Sequence, residues 1–374
     1  MEKENNLKEV ACVFLKLGVT AFGGPAAHIA MMQQEVVTKR RWMFEEHFLD
    51  LIGATNLLPG PNSTEMAIHI GQERAGWKGL IVAGLCFICP AVIITLFFAW
   101  LYKEYGELPQ AQPFIYGIKP AIISVILSAV FPLAKKSLKT IQLWIIGISV
   151  LMLSFCDINE IFLLFGAGII AIGLAIVKKK KTINSLVPIA LFQIHDFISL
   201  SQNNIKLFLI FLKIGAILYG SGYVLFAFLD TELVGRGLLT RQQLLDAIAV
   251  GQFTPGPVFS SVAFIGYQIN DWSGALMATI GIFLPSFIFV ALLNPIVKVM
   301  RGSKIFSSFL DAVNVASIAI IIYVCYEMAK ESIADWKTIL IAVLCLTLIF
   351  TFKKINSAWI VILGALLGYV FQNI

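Results

Sequence analysis

Two helix-breaking motifs followed by hydroxyl side chains are the groups in this sequence best suited to hold an ion. Leu58-Pro59-Gly60-Pro61 runs into Asn62, Ser63, Thr64 and Glu65, and Thr254-Pro255-Gly256-Pro257 runs into Val258, Phe259, Ser260 and Ser261. Glycine frees the backbone and proline suits a first helical turn, so each motif ends one helix and starts another. A helix start presents unpaired N–H groups and a partial positive charge, to which Ser, Thr and Asn add donors. Two such starts facing each other form an anion site. A second pair of breaks, Gly23-Gly24-Pro25 and Gly220-Ser221-Gly222, falls inside apolar runs. The candidate substrate-binding residues are Gly23, Gly24, Gly60, Asn62, Ser63, Thr64, Gly220, Ser221, Gly222, Gly256, Ser260 and Ser261. Either motif alone is better explained as a tight turn or a close-packing site. Both motifs occurring twice, in the same order, favours a transport site.

Ionisable residues add two further candidates. "FLKLG" at 14–18 and "FLKIG" at 211–215 set Lys16 and Lys213 inside apolar runs. Each lysine is either an anchor that snorkels to the membrane interface or a charge that draws an anion into a vestibule. Glu65, in the first turn after its motif, is either a helix-start charge or a protonatable coupling group. Glu35 and Glu232 read as solvated caps, and His28 as a buried, hydrogen-bonded histidine. His47 and His69 show no ligand spacing. Cys86 and Cys89 form a C-x-x-C without a second pair, so the six cysteines read as small buried hydrophobes and no metal or other cofactor is expected. No nucleophile–base constellation supports an enzyme. The net charge of +6 is spread over loops and makes no nucleic-acid patch.

The elements that must position these residues are membrane helices. The 374-residue chain is 59% hydrophobic and 13% charged with mean hydropathy +0.87, which predicts an all-α integral membrane protein. At about 20 residues per crossing there is room for about ten spans. "MEKENNLKEV" lacks the marks of a cleaved signal, so direct insertion is expected. The chain is also an internal duplication: "FLKLGVTAFGG" matches "FLKIGAILYGS", "LPGP" matches "TPGP", and Gly71, Trp77, Gly79 and Pro90 match Gly266, Trp272, Gly274 and Pro285. Residues 1–181 form the first repeat, 182–204 a cytoplasmic or interfacial linker, and 205–374 the second repeat. Each repeat opens with a broken helix, 10–33 or 205–228. A re-entrant hairpin follows, with arms at 44–57 and 61–72 or at 241–253 and 257–267. Later spans lie at 77–102, 113–132, 141–156 and 159–177, and at 272–297, 306–326, 338–352 and 355–372. A twelve-residue arm rises only about 18 Å, too short to cross.

Five spans per repeat is an odd number, so the repeats are expected to be inverted. One side then collects 18 of the 28 Lys and Arg residues (39–41, 74, 78, 135, 136, 139, 178–181, 206, 298, 301, 304, 353 and 354). The other side holds eight (3, 8, 103, 119, 236, 241, 330 and 337). By the positive-inside rule the first side is cytoplasmic and both termini lie outside, with 185–200 an interfacial helix.

"FGGPAAHIAMMQQE", "LPGPNSTEMAIHIGQERAGWKG" and "TPGPVFSSVAFIGYQ" resemble the signature segments of the chromate ion transporter family in its long, duplicated form. The resemblance implies efflux of a tetrahedral oxyanion, chromate, across the plasma membrane, with sulfate as the near isostere. It implies roles for Gly23, Gly24, Pro25, residues 59–65, Lys16 and their second-repeat counterparts. Where the family pattern often carries glutamine, this chain has Glu65, which points to a coupling proton or to another anion. The alternative is a transporter or channel for another anion, sulfate-like or organic, with chromate not the physiological substrate, and a homodimer is compatible with either reading.

Overall fold

The computed structural model describes residues 2–22, 24–106, 111–156, 158–178, 203–219, 222–301, 304–333, 335–352 and 355–373. Gly23, Gly220, Ser221 and the 185–200 segment lie outside the described residues. Every regular element among the described residues is helical. The first repeat comprises α1 (Glu2–Thr20), α2 (Gly24–Gln33), α3 (Glu45–Thr55), α4 (Asn62–Tyr105), α5 (Gln112–Ser137), α6 (Ile141–Ser154) and α7 (Glu160–Lys178). The second comprises α8 (Asn203–Ile217), α9 (Val224–Leu229), α10 (Arg241–Phe253), α11 (Ser261–Arg301), α12 (Lys304–Ser332), α13 (Trp336–Thr351) and α14 (Ser357–Asn373). Wide π-helical turns at Gln34–Lys39 and Asp230–Val234 extend α2 and α9.

Four helices, α4, α5, α11 and α12, are long and apolar enough to cross a membrane. α6, α7, α13 and α14 are equally apolar but shorter. Ile93, Met152, Phe162 and Trp359 are 65–66% exposed, as side chains that face lipid would be. The same outward faces carry Cys12, Cys89 and Cys156, so only Cys325 and Cys345 are the fully buried thiols expected of all six.

α4 and α11 each contain a sharp reversal. Ala75-Gly76 and Asn270-Asp271 leave helical geometry, Gly76 at φ 63° and Asp271 at φ 49°. A short arm thus folds back on the long span that follows it. Paired glycines permit the approach: a Cβ on Gly71 would lie 2.3 Å from the Gly79 oxygen, and one on Gly266 2.4 Å from the Gly274 oxygen. The helical arms expected at 44–57, 61–72, 241–253 and 257–267 lie where sequence placed them.

The first helix of each repeat does not. From Lys16 to Thr20 and from Gly24 to Glu35, a continuing helix would separate the two charges by more than about 25 Å. Instead Lys16 Nζ lies 2.9 Å from Glu35 Oε1, and Lys213 Nζ 2.7 Å from Glu232 Oε1. So α2 doubles back beside α1, and α9 beside α8. The expected single broken helix is a pair of half-helices, because the break reverses the chain instead of kinking it.

That reversal moves the start of the chain. Arg74 donates to Glu9 at 2.8 Å, and Arg40 and Arg74 stack over Trp42, which gathers Glu9, the loop after α2 and the first hairpin tip at one end of the molecule. The opposite end holds Lys103 paired with the second tip at Asp271, and Tyr116 donating to Asp335. Lys337 bonds the Phe371 carbonyl there as well. Glu9 and Phe371 thus lie at opposite ends, where the sequence reading put both termini on one side.

The repeats interleave. α1 packs on α4 and α8 on α11, within their own repeats, while α5 packs on α13 and α14, and α12 on α6 and α7. A Cβ on Gly117 would sit 2.0 Å from the Gly364 oxygen, showing how closely α5 and α14 meet.

Candidate functional site

Each Pro-Gly-Pro turn meets the end of the helix that precedes the other repeat's first break. The Gly60 N–H donates to the Leu218 carbonyl at 2.8 Å, and the Gly256 N–H donates to the Ala21 carbonyl at 2.8 Å. Each Pro-Gly-Pro turn therefore docks on the broken helix of the other repeat. Gly60 has φ 131° and Gly256 φ 83°, conformations that only glycine adopts without strain. Neither position has room for a side chain: a Cβ on Gly256 would lie 2.8 Å from Ala91 Cβ.

The two turns are lined differently. At the first, Ser63, Thr64 and Glu65 are buried, and a Cβ on Gly60 would lie 2.6 Å from Glu65 Oε1 and 2.7 Å from Ser286 Oγ. Tyr219, beside the second break, is close enough to Glu65 to feel its charge. Neither Glu65 oxygen, nor Thr64 Oγ1, nor Ser286 Oγ has a hydrogen-bond partner of ordinary geometry. At the second turn Ser260 and Ser261 are fully buried, and Ser260 Oγ meets Thr95 Oγ1 at 3.2 Å. Ser261 Oγ is buried without a partner. In the matched motifs Ser261 occupies the place of Glu65, so one half of the site carries a carboxylate and the other a hydroxyl.

Ser63 and Thr64 are buried beside Gly60 at the first turn, and Ser260 and Ser261 beside Gly256 at the second. Gly24 opens α2, and Gly222 precedes α9 with Phe259 3.4 Å from where its Cβ would be. Asn62 points away and donates to Asn56 at 2.8 Å. Part of the backbone amide set expected at the turns is already engaged. The Gly60 and Gly256 amides hold the turns to the opposite repeat, and those of Thr64, Glu65 and Ser260 bond to Pro61 or Pro257 carbonyls. The amides of Asn62 and Ser63 at the first helix start, and of Val258 and Phe259 at the second, make no such backbone bond, and with the buried hydroxyls they are the donors left.

Lys16 and Lys213 sit farther out. Glu35 and Glu232, expected as solvated caps, are buried and bind them. Lys39, at 2.9 Å, and Arg40, at 3.7 Å, join Glu35, and Arg236 joins Glu232 at 2.8 Å. The hydrogen bonds from Lys16 and Lys39 hold the Glu35 carboxyl down at about 2. The signal was present in the sequence, since both Lys-to-Glu spacings are 19 residues. Ser286 and Thr95 were missed. Ser286 follows the matched Pro285, but Thr95 has no polar counterpart to mark it.

The family profile described as Chromate transporter matches this chain twice, at residues 8–172 and 205–369. A chromate transport protein of Cupriavidus metallidurans is 30% identical over 97% of this chain and 93% of its own length. A probable chromate transport protein of Synechococcus elongatus is 28% identical over 98% of this chain and 96% of its own. An uncharacterized transporter of Methanocaldococcus jannaschii is 28% identical, with coverages of 99% and 96%. No solved structure matches.

Proposed function

The chain belongs to the chromate transporter family, and from that premise we propose that it is a secondary transporter carrying chromate, with sulfate as the near isostere, out of the cell across the plasma membrane. The observation that carries the reading is the reciprocal docking of Gly60 on Leu218 and Gly256 on Ala21, by which each turn is completed by the broken helix of the other repeat. A tetrahedral oxyanion needs several converging donors away from water. Ser63, Thr64, Ser260 and Ser261 are the buried hydroxyls there, and Glu65 is the proposed coupling group. Two clusters with excess cation, Lys16, Lys39 and Arg40 around Glu35 and Lys213 and Arg236 around Glu232, suit vestibules that attract a dianion.

An inverted arrangement of the repeats is supported by the Lys103–Asp271 pair, because residues 77–103 rise about 39 Å between the two hairpin tips. With the half-helices re-entrant, four helices per repeat remain to cross, α4 to α7 and α11 to α14, so this inversion also requires the chain to change ends between Lys178 and Lys206, where the sequence reading expected an interfacial helix. Positions 3 and 8 then join the first end and 206 the second, so the 28 Lys and Arg residues divide 19 to 7, with Lys16 and Lys213 apart. The sharper bias supports a cytoplasmic first end.

Radiolabelled counterflow in proteoliposomes tests the reading. A carrier loaded with unlabelled chromate accumulates label transiently, whereas a channel only equilibrates it. A panel of chromate, sulfate, molybdate and phosphate ranks substrates, and no counterflow with any of them would refute the proposal.

A further inference from the structure

A second polar centre lies between the second end and the second turn. Asp246, on α10, is 4% exposed and its Oδ2 accepts the Tyr102 hydroxyl of α4 at 2.7 Å. Lys119 of α5 is the cation that acts on it, and the same lysine also feels Glu331 of α12. Farther out, Arg241 at the start of α10 binds Asp230 at 2.8 Å, Glu327 at 3.3 Å and Glu331 at 3.2 Å. The charged side chains facing Asp246 therefore form a graded series. Arg241, Asp230, Glu327 and Glu331 lie at the mouth, and Asp246 with Tyr102 lies about 8 Å deeper along α10, within electrostatic reach of Lys119. The first repeat has no equivalent, since the matched Asp50 is exposed.

A carboxylate at membrane depth is costly and marks an ion or proton pathway more often than a structural need. We propose that Asp246, Lys119 and Tyr102 form a proton-exchange site open to the second end, the route by which a coupling proton reaches or leaves the transporter. Protonation converts the Asp246 carboxylate to a carboxylic acid, with the proton arriving from water at the mouth. The Lys119 charge then loses one of the two carboxylates that act on it and keeps Glu331, while Tyr102 keeps its hydrogen bond to Asp246. This inference rests on the transport reading but not on where the anion binds.

The test compares two fluxes of radiolabelled chromate in proteoliposomes, one driven by an imposed pH gradient and one measured without it. Their ratio is expected to exceed one in the wild type and to fall to one in Asp246→Asn. Should that variant fail to fold, as judged by size exclusion, Tyr102→Phe serves instead. Losing the hydroxyl that stabilises the charged form should raise the midpoint of the pH profile by about one unit. A wild-type ratio of one, an unchanged ratio in Asp246→Asn, or an unshifted midpoint in Tyr102→Phe overturns the proton site. None of these touches the transport reading, which fails only if the wild type shows no counterflow.

Discussion

Gly60→Ala is the substitution whose cost the structure specifies most fully. The residue holds φ 131°, its N–H reaches the Leu218 carbonyl at 2.8 Å, and a Cβ would fall 2.6 Å from Glu65 Oε1 and 2.7 Å from Ser286 Oγ. Backbone strain at such a φ costs about 1–3 kcal/mol. Overpacking against a fully buried carboxylate costs about 1–3 kcal/mol more. If the turn withdraws to relieve the contact, a buried hydrogen bond worth about 1 kcal/mol is lost. The expected destabilisation is about 3–5 kcal/mol. Gly24→Ala is the control, because Gly24 has φ 81° but nothing within 4 Å of its Cβ, so only strain of about 1–2 kcal/mol applies. Reversible unfolding in mixed micelles, followed by circular dichroism, measures both. A difference of about 2 kcal/mol is roughly thirtyfold in the folding equilibrium. Should the two variants agree within about 1 kcal/mol, the turn is not packed as described and the docking argument falls with it.

Other outcomes follow from the same contacts. Single cysteines at Lys8 and Lys139 should label from one side of the membrane and those at Trp336 and Gln372 from the other. Labelling of Lys8 from the side of Gln372 would restore the straight first helix. Glu35 should shape the acid limb of stability: its carboxyl is held below the ordinary value of 4.5, so its ion pairs contribute fully above that pH and are lost as pH falls toward about 2. Its lysine partners are about half exposed, so each pair contributes at most about 1 kcal/mol, and Glu35→Gln should flatten that slope in a pH-dependent unfolding series. Ser260→Ala combined with Thr95→Val removes the buried hydroxyl pair, and apparent chromate affinity should fall tenfold or more; equal affinity would move the anion elsewhere. Glu65→Gln keeps size and removes charge, and transport that retains the wild-type pH profile would reduce Glu65 to a helix-start charge.

The sequence by itself determined the duplication, the helical membrane class and the places where helices stop. These are local properties. Apolar runs, Pro-Gly-Pro turns and the glycines at 71, 79, 266 and 274 act within a few residues of where they stand, so their consequences are legible along the chain. The hydroxyls at 63, 64, 260 and 261 stand out for the same reason, since they begin arms whose starts are marked. Tertiary structure alone decided what each break turns toward. That Lys16 reaches Glu35 instead of lying far from it depends on the direction of a reversal, which glycine permits but does not select. That Gly60 docks on Leu218 and Thr95 meets Ser260 joins residues about 160 positions apart, and no periodicity links them. Burial then sorts chemically identical residues: Asp246 becomes a buried acid held by Tyr102 while its counterpart Asp50 remains exposed. Two nearly equal halves acquire different chemistry because each is completed by side chains from the other, and those differ.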